Sequence, residues 1–184
     1  KMEIFNEKDW IGFCAYRRFW LNQNSTLSSN ISFKDKILKE VPKDWNNYDV
    51  ILANKISMDD IKFIKIIKYG KLALFNNPKS IFKKGRNIKF HFDMFHGVGN
   101  LDKAINLLDN KDREDFRDYV NCEKSFNPAN LFICRSKVLM NKYYQTIFEW
   151  FNNCEKVFGF NLKGYGKMRI YGFLAERFLP FWFN

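Results

Sequence analysis

Two adjacent arginines sit near the end of the run WIGFCAYRRFW, Trp10 to Trp20. Their chemistry is anion capture, because each guanidinium offers a planar fork of N–H donors that grips phosphate or carboxylate oxygens in pairs. The residues before them, Trp10 to Ala15, form a short aromatic and branched run without alternation, which is the pattern of a strand buried on both faces of an α/β sheet. Ligands of such sheets sit beyond the carboxyl ends of the strands, where Tyr16, Arg17 and Arg18 fall. Successive residues of an extended chain point to opposite sides, so either both arginines meet the ligand or one caps the sheet while the other binds. A second cluster, His91, Asp93 and His96, carries side chains that can bind metal. If IKFHFDMFH, Ile88 to His96, is an alternating strand end, Asp93 shares a face with His91 while His96 lies past the turn, and no metal is assigned.

These residues must be positioned by alternating apolar and helical segments. Ser32 and Asp35 form a capping-box pattern that predicts a helix from Phe33 to Val41, ended by Pro42. A second apolar run, Tyr48 to Ala53, has the length of a buried strand. Ser57 and Asp60 repeat the capping pattern and open a helix with Ile61, Ile64, Ile67 and Lys68 at the helical period, stopped near Gly70. Leu72 to Phe75 reads as a short strand or as the tail of that helix. The loop after it, Asn76 to Arg86, offers Lys83, Lys84 and Arg86 to phosphate or to solvent. Amphipathic helices are expected over Leu101 to Leu108 and Arg113 to Val120, and a strand over Asn130 to Cys134. The longest helix is expected near Lys137 to Phe158, with Leu139, Tyr143, Ile147, Trp150, Phe151, Cys154 and Phe158 on one broad core stripe. The closing segment, Gly172 to Asn184, reads as a helix broken or kinked at Pro180.

At 184 residues with 46% hydrophobic and 18% aromatic content, the chain is expected to form one domain, residues 1–184, with a full core. The net charge of +11 calls for an acidic partner. The lysines are scattered and carry no recognition-helix, RNP or zinc-finger spacing, so nucleic acid fits poorly. Cys14, Cys122, Cys134 and Cys154 lie far apart without a Cys-x-x-Cys pair, and read as buried free thiols of a reducing compartment. With no signal peptide and no run of about 18 apolar residues, a cytoplasmic location is expected. Phe178, Leu179, Phe181, Trp182 and Phe183 crowd the end of the chain around Pro180. They either fold back as the last piece of core or enter the headgroup boundary of a membrane.

Three segments, CAYRRFW from Cys14, NLFICRSKVL from Asn130 and GFLAERF from Gly172, resemble in the same order a family of bacterial glycosyltransferase-like proteins found with capsular and exopolysaccharide genes. In that family a Cys-His-Tyr-Arg-Arg signature follows an apolar strand, and a Gly-Phe-Leu-(Ala/Ser)-Glu-Arg segment closes the domain. Here Ala15 stands in place of the histidine. The family's N-terminal strand and loop have no counterpart in this chain: either residues before Lys1 are missing from it or it is a shortened relative. The resemblance implies a single GT-A-like, Rossmann-like α/β sandwich, here without its first strand, and a transferase that moves sugar from a nucleotide-sugar donor to a lipid-linked saccharide acceptor. The donor diphosphate would be held by Tyr16, Arg17 and Arg18 with Arg169 and Arg177. An acceptor base would come from Glu176, Asp93 or His96, although Glu176 beside Arg177 also suits a buried ion pair. No Asp-x-Asp of the usual GT-A kind ends a strand, since Asp59-Asp60 suits a helix start, so a divalent metal has no ligand motif and no cofactor is assigned. The rival expectation is a non-catalytic relative that keeps the fold and its anion-binding arginines.

Overall fold

The protein, seen in a computed structural model, is described at residues 9–13, 18–22 and 32–184. It is a mixed helix and sheet structure in which helix accounts for 61% of the described residues, so helices carry most of the core. Two short strands, β1 (Ile11–Gly12) and β2 (Val50–Leu52), flank the fully buried β5 (Phe132–Cys134), and both pair with it antiparallel. A separate antiparallel ladder joins β3 (Ile56–Ser57) to β4 (Ser125–Phe126). Among the described residues the opening run therefore contributes a two-residue edge strand with Gly12 exposed, rather than a stretch buried on both faces. All pairings among the described strands are antiparallel, so the placement of ligands at strand ends in a parallel sheet does not carry over.

The helices are α1 (Phe33–Lys36), α2 (Phe63–Tyr69), α3 (Lys71–Asn76), α4 (Ile88–His96), α5 (Asn100–Ile105), α6 (Asn110–Cys122), α7 (Lys137–Phe158), α8 (Tyr165–Met168) and α9 (Ile170–Trp182). Helix α1 stops at Lys36, short of the expected Val41, and the Ser32 side chain caps nothing. The chain turns extended at Ile37, which bridges Leu21. The second capping pattern closes only a 3-10 turn, Met58–Asp60, where Ser57 Oγ accepts from the Asp59 N–H, and α2 begins after it. In α2 the buried residue is Ile66, while Ile64 and Ile67 face outward, reversing the expected stripe. Leu72 to Phe75 lies within α3, a helix of its own that bends away from α2 at Gly70. Arg86 is buried and donates to the carbonyls of Ser80, Ile61 and Ile81, which staples the loop and removes it from phosphate.

The largest difference is α4. Its sequence alternates well enough for a strand, yet it folds as a helix capped by Asn87 Oδ1, which accepts from the Phe90 N–H at 2.8 Å, and ended by Gly97 at φ +96°. It lies between two cores. Ile88 and Phe92 join the main core of α5, α6, α7, α9 and β5, and Phe90 and Met94 pack with Ile66 and Ala73 of α2 and α3. Helix α7 presents Met140, Tyr143, Ile147, Trp150 and Cys154 at three- and four-residue spacing, with Ser136 Oγ capping its first turn and Gly159 stopping it. Helix α9 runs unbroken through Pro180 to Trp182. Proline removes one late hydrogen bond, and burial of Phe178, Leu179 and Pro180 offsets that loss. The closing aromatics fold back: Phe181 meets Phe116 at 5.0 Å, Trp182 meets Tyr143 at 5.4 Å and Phe183 meets Phe132 at 5.3 Å between ring centroids. Of the described thiols, Cys134 and Cys154 are buried with their pKa values raised by burial, Cys154 to about 12, but Cys122 is exposed rather than buried; Cys14 lies outside the described residues.

Candidate functional site

Helix α9 sets the site, because its sequence places Glu176 and Arg177 on the side facing α4 while Leu174, Phe178 and Leu179 anchor it in the core. Arg177 is 1% exposed. Its Nη1 donates to Glu176 Oε2 at 2.6 Å and to the Phe173 carbonyl at 3.2 Å, and its Nη2 donates to His91 Nδ1 at 2.9 Å. The guanidinium lies over Phe126, 4.2 Å from the ring centroid, and beside Phe92 at 5.5 Å. Burial lowers its pKa to about 10, with Glu176 opposing the shift, so it keeps its charge at neutral pH.

The other Glu176 oxygen, Oε1, accepts the N–H of Ala129 at 3.0 Å. That N–H is aimed by an unusual backbone: Ala129 and Asn130 both hold positive φ, at 70° and 54°. A left-handed alanine costs about 1–2 kcal/mol, a strain that survives where the surroundings fix it. Here Asn127 is bonded to the Ala53 carbonyl and Asn130 to the Gly172 carbonyl, and the two amides pin the loop from both sides. A carboxylate has about four lone-pair sites, so Glu176 retains acceptor capacity beyond these two bonds.

Two adjoining hollows, of about 480 and 400 Å³, share Arg18, Tyr165, Phe173 and Glu176 in their walls and make one cleft. Arg177, His91 and His96 line its first part, and Arg169 and Asn130 its second. Its wall is layered: His96 stacks on Phe173 with centroids 3.8 Å apart, and Arg169 lies 5.7 Å from the Phe173 centroid and 5.2 Å from that of Tyr165, whose hydroxyl it also meets. Helix α8 packs its Gly166 so closely on the end of α4 that a Cβ there would collide with the Phe95 carbonyl. The approach lets the Gly166 carbonyl reach His96 Nδ1 at 3.1 Å. A carbonyl only accepts, so His96 Nδ1 carries the proton and Nε2 is the free base; His91 Nδ1 faces a guanidinium and only accepts, so its proton sits on Nε2.

Both imidazoles are held neutral. Burial, then the charge of Arg177, lowers the His96 pKa to about 3, and burial followed by Arg177 drives His91 well below its ordinary value. An unfolded histidine takes a proton near pH 6.5, whereas folded His96 takes none until about pH 3. The unfolded chain binds more protons throughout that interval, so stability falls as pH drops below 6.5, by up to about 1.4 kcal/mol per pH unit for each histidine. Urea midpoints taken from pH 7 to pH 5 should show this decline and a shallower one for His96→Phe. Parallel profiles would show that His96 is not the group responsible.

The structure thus brings Arg18, His96, Arg169, Glu176 and Arg177 around one cleft. Arg18 is exposed, and the chain after it is tied down by the Trp20 indole N–H bonded to the Phe13 carbonyl and by the Leu38 N–H bonded to the Trp20 carbonyl. Tyr16 and Arg17 lie outside the described residues. Asp93 does not line the cleft; it accepts from Lys89 at 3.3 Å and from the Gly99 N–H at 3.2 Å, stitching the α4–α5 turn. Its carboxyl is pushed up by burial against the pull of Lys89. His91, Tyr165, Phe173 and the Ala129 N–H join the site without having been assigned to it from sequence. Among the described residues no group of three or more His, Cys, Asp and Glu could hold a metal ion.

A larger hollow of about 770 Å³ at the start of α7 is lined by Trp10, Arg135 and Ser136. Arg135 is engaged there by Asp49 at 3.2 Å and by the Asn46 carbonyl, and among the described residues no carboxylate or imidazole lines the hollow, so the Glu176 cleft is the better candidate for chemistry. No curated protein and no solved structure matches the chain. A family described as a domain of unknown function (DUF4422) matches residues 4–184.

Proposed function

From a chain that belongs to the DUF4422 family and places cations, stacked rings and a fixed carboxylate in one cleft, we propose a glycosyltransferase that moves sugar from a nucleotide-sugar donor to a surface polysaccharide on a lipid-linked acceptor. The observation that carries the reading is the convergence of Arg18, Arg169 and Glu176 on that cleft from segments far apart in sequence. Arg18 and Arg169 supply charge-assisted donors to a diphosphate. Glu176, oriented by Arg177 and by the Ala129 N–H, serves as the base that takes the acceptor hydroxyl proton. The exposed ring of Tyr165, beside the half-buried Phe173, suits the flat rings of a nucleoside or sugar. The resemblance of CAYRRFW and GFLAERF to capsular glycosyltransferase-like proteins supports the same reading, with the fold taken as a GT-A-like arrangement that works on the cytoplasmic side.

One observation favours a non-catalytic, anion-binding relative: both Glu176 oxygens already accept strong hydrogen bonds. A panel of nucleotide sugars tested by thermal shift addresses the donor class. A donor at about 100 times its Kd stabilises the fold by about 2.7 kcal/mol, or roughly 5–10 °C for a chain of this size. Arg18→Ala should weaken that donor by about ten- to a hundredfold. If no nucleotide sugar raises the melting temperature, the donor assignment is wrong. A shift without any transfer would leave the binding relative as the answer.

A further inference from the structure

Residues 61–86 hold seven lysines and Arg86 with no Asp or Glu, most of the net charge of +11 in one short stretch. They build α2, α3 and the turns that follow. Both helices turn small buried faces, Ile66 and Ala73, onto Phe90 and Met94 of α4. Their opposite faces are apolar and bare: Ile64 is 73% exposed, Leu72 75%, Phe75 86% and, just beyond, Phe82 72%. All seven lysines are exposed. No described carboxylate pairs with any of them. Large apolar side chains standing in water among unopposed cations need a covering that is apolar within and anionic at its boundary.

We infer that this face docks the protein on an anionic lipid bilayer. Ile64, Leu72, Phe75 and Phe82 would enter the boundary between headgroups and acyl chains, and the lysines around them would meet lipid phosphates and carboxylates. The chemistry disfavours the other occupants. A second copy applied through the same face would set two strongly basic surfaces against each other. Nucleic acid would satisfy the lysines but leave the aliphatic side chains without a partner, since phosphates take cations and bases take stacked rings. The closing aromatics at Phe181 to Phe183 are not required, because they pack on Phe116, Tyr143 and Phe132. Tyr69, the last residue of α2, lines the Glu176 cleft, so the docked face and the cleft adjoin. On the glycosyltransferase reading, which the docking itself does not need, that brings the cleft to where a lipid-linked acceptor lies.

Flotation of the whole chain with phosphatidylcholine vesicles, with and without phosphatidylserine, tests the inference. Binding is expected only with phosphatidylserine and should weaken as salt is raised. Leu72→Ser/Phe75→Ser should lower it about tenfold or more. Lys68→Glu/Lys71→Glu, also confined to exposed side chains, should abolish it while leaving the melting temperature unchanged. Absence of binding at low salt overturns the proposal, as does binding that survives Leu72→Ser/Phe75→Ser. A dimer in light scattering that this variant dissociates, or an oligonucleotide complex that it disrupts, would assign the face to a second copy or to nucleic acid and equally overturn the lipid assignment.

Discussion

Arg177→Met is expected to cost about 3–5 kcal/mol of stability, the usual price of leaving one member of a buried charged pair behind. The side chain is 1% exposed and joins Glu176, the Phe173 carbonyl and His91 while lying over Phe126. Methionine fills the space but satisfies none of these acceptors. Arg177→Lys should rescue little, since an ammonium cannot present the planar fork that reaches Glu176 and His91 together. Removing the carboxylate as well, in Glu176→Gln/Arg177→Met, should recover part of the loss, and the double-mutant cycle measures the coupling. Urea denaturation of the four proteins is the check. A loss below about 1 kcal/mol for Arg177→Met would show that the ring faces, not the ionic contacts, hold α9 in place.

Glu176→Gln should lower transfer from the cognate donor by about 10²–10⁴-fold with little change in donor affinity. The amide is nearly isosteric and its oxygen still accepts the Ala129 N–H, which keeps the backbone at Ala129 and Asn130 in place, while its NH2 then faces the Arg177 donors, so stability is measured alongside activity. What disappears is the capacity to take a proton from the acceptor. Arg18→Ala should show the opposite split, with weakened donor binding and a smaller effect on turnover at saturation. Transfer by Glu176→Gln at the parent rate would make the carboxylate a structural partner of Arg177 and nothing more.

The long helix α7 was legible because one face is buried and the other wet, so its apolar period survives in the sequence, as do the Ser136 start and the Gly159 stop. Helix α4 was not, for the opposite reason. It lies between two cores, and burial of Ile88, Phe90, Phe92, Asp93, Met94 and His96 leaves almost no polar face to mark a period of 3.6. Its apolar residues at 88, 90, 92 and 94 then imitate a strand. What marks it as a helix lies at its ends, in the Asn87 cap before it and Gly97 after it. Misreading α4 moved the histidines: on a strand His91 pairs with Asp93, whereas on the helix His91 and His96 face the cleft and Asp93 turns toward Lys89 and Gly99. Glu176 and Arg177 were singled out by the resemblance of GFLAERF, and the structure sets both in the cleft wall. Their partner loop was not, since nothing in Pro128-Ala129-Asn130 announces an alanine in the left-handed region. The outward faces of α2 and α3 were hidden by the ordinary rule that isoleucine, leucine and phenylalanine at helical spacing turn inward.

The contacts that make the cleft are distant along the chain. Arg177 meets His91 across 86 positions, His96 meets Gly166 across 70 and Glu176 meets Ala129 across 47. Contacts of such separation carry a loop-closure cost that local helix formation does not, and the expected order has them made after α7 and the α5–α6 pair. Interactions absent from the transition state act on the unfolding rate. Replacements around Arg177 should therefore shorten the lifetime of the native state far more than they delay its formation, and the same residues that shape the cleft also act as its kinetic latch.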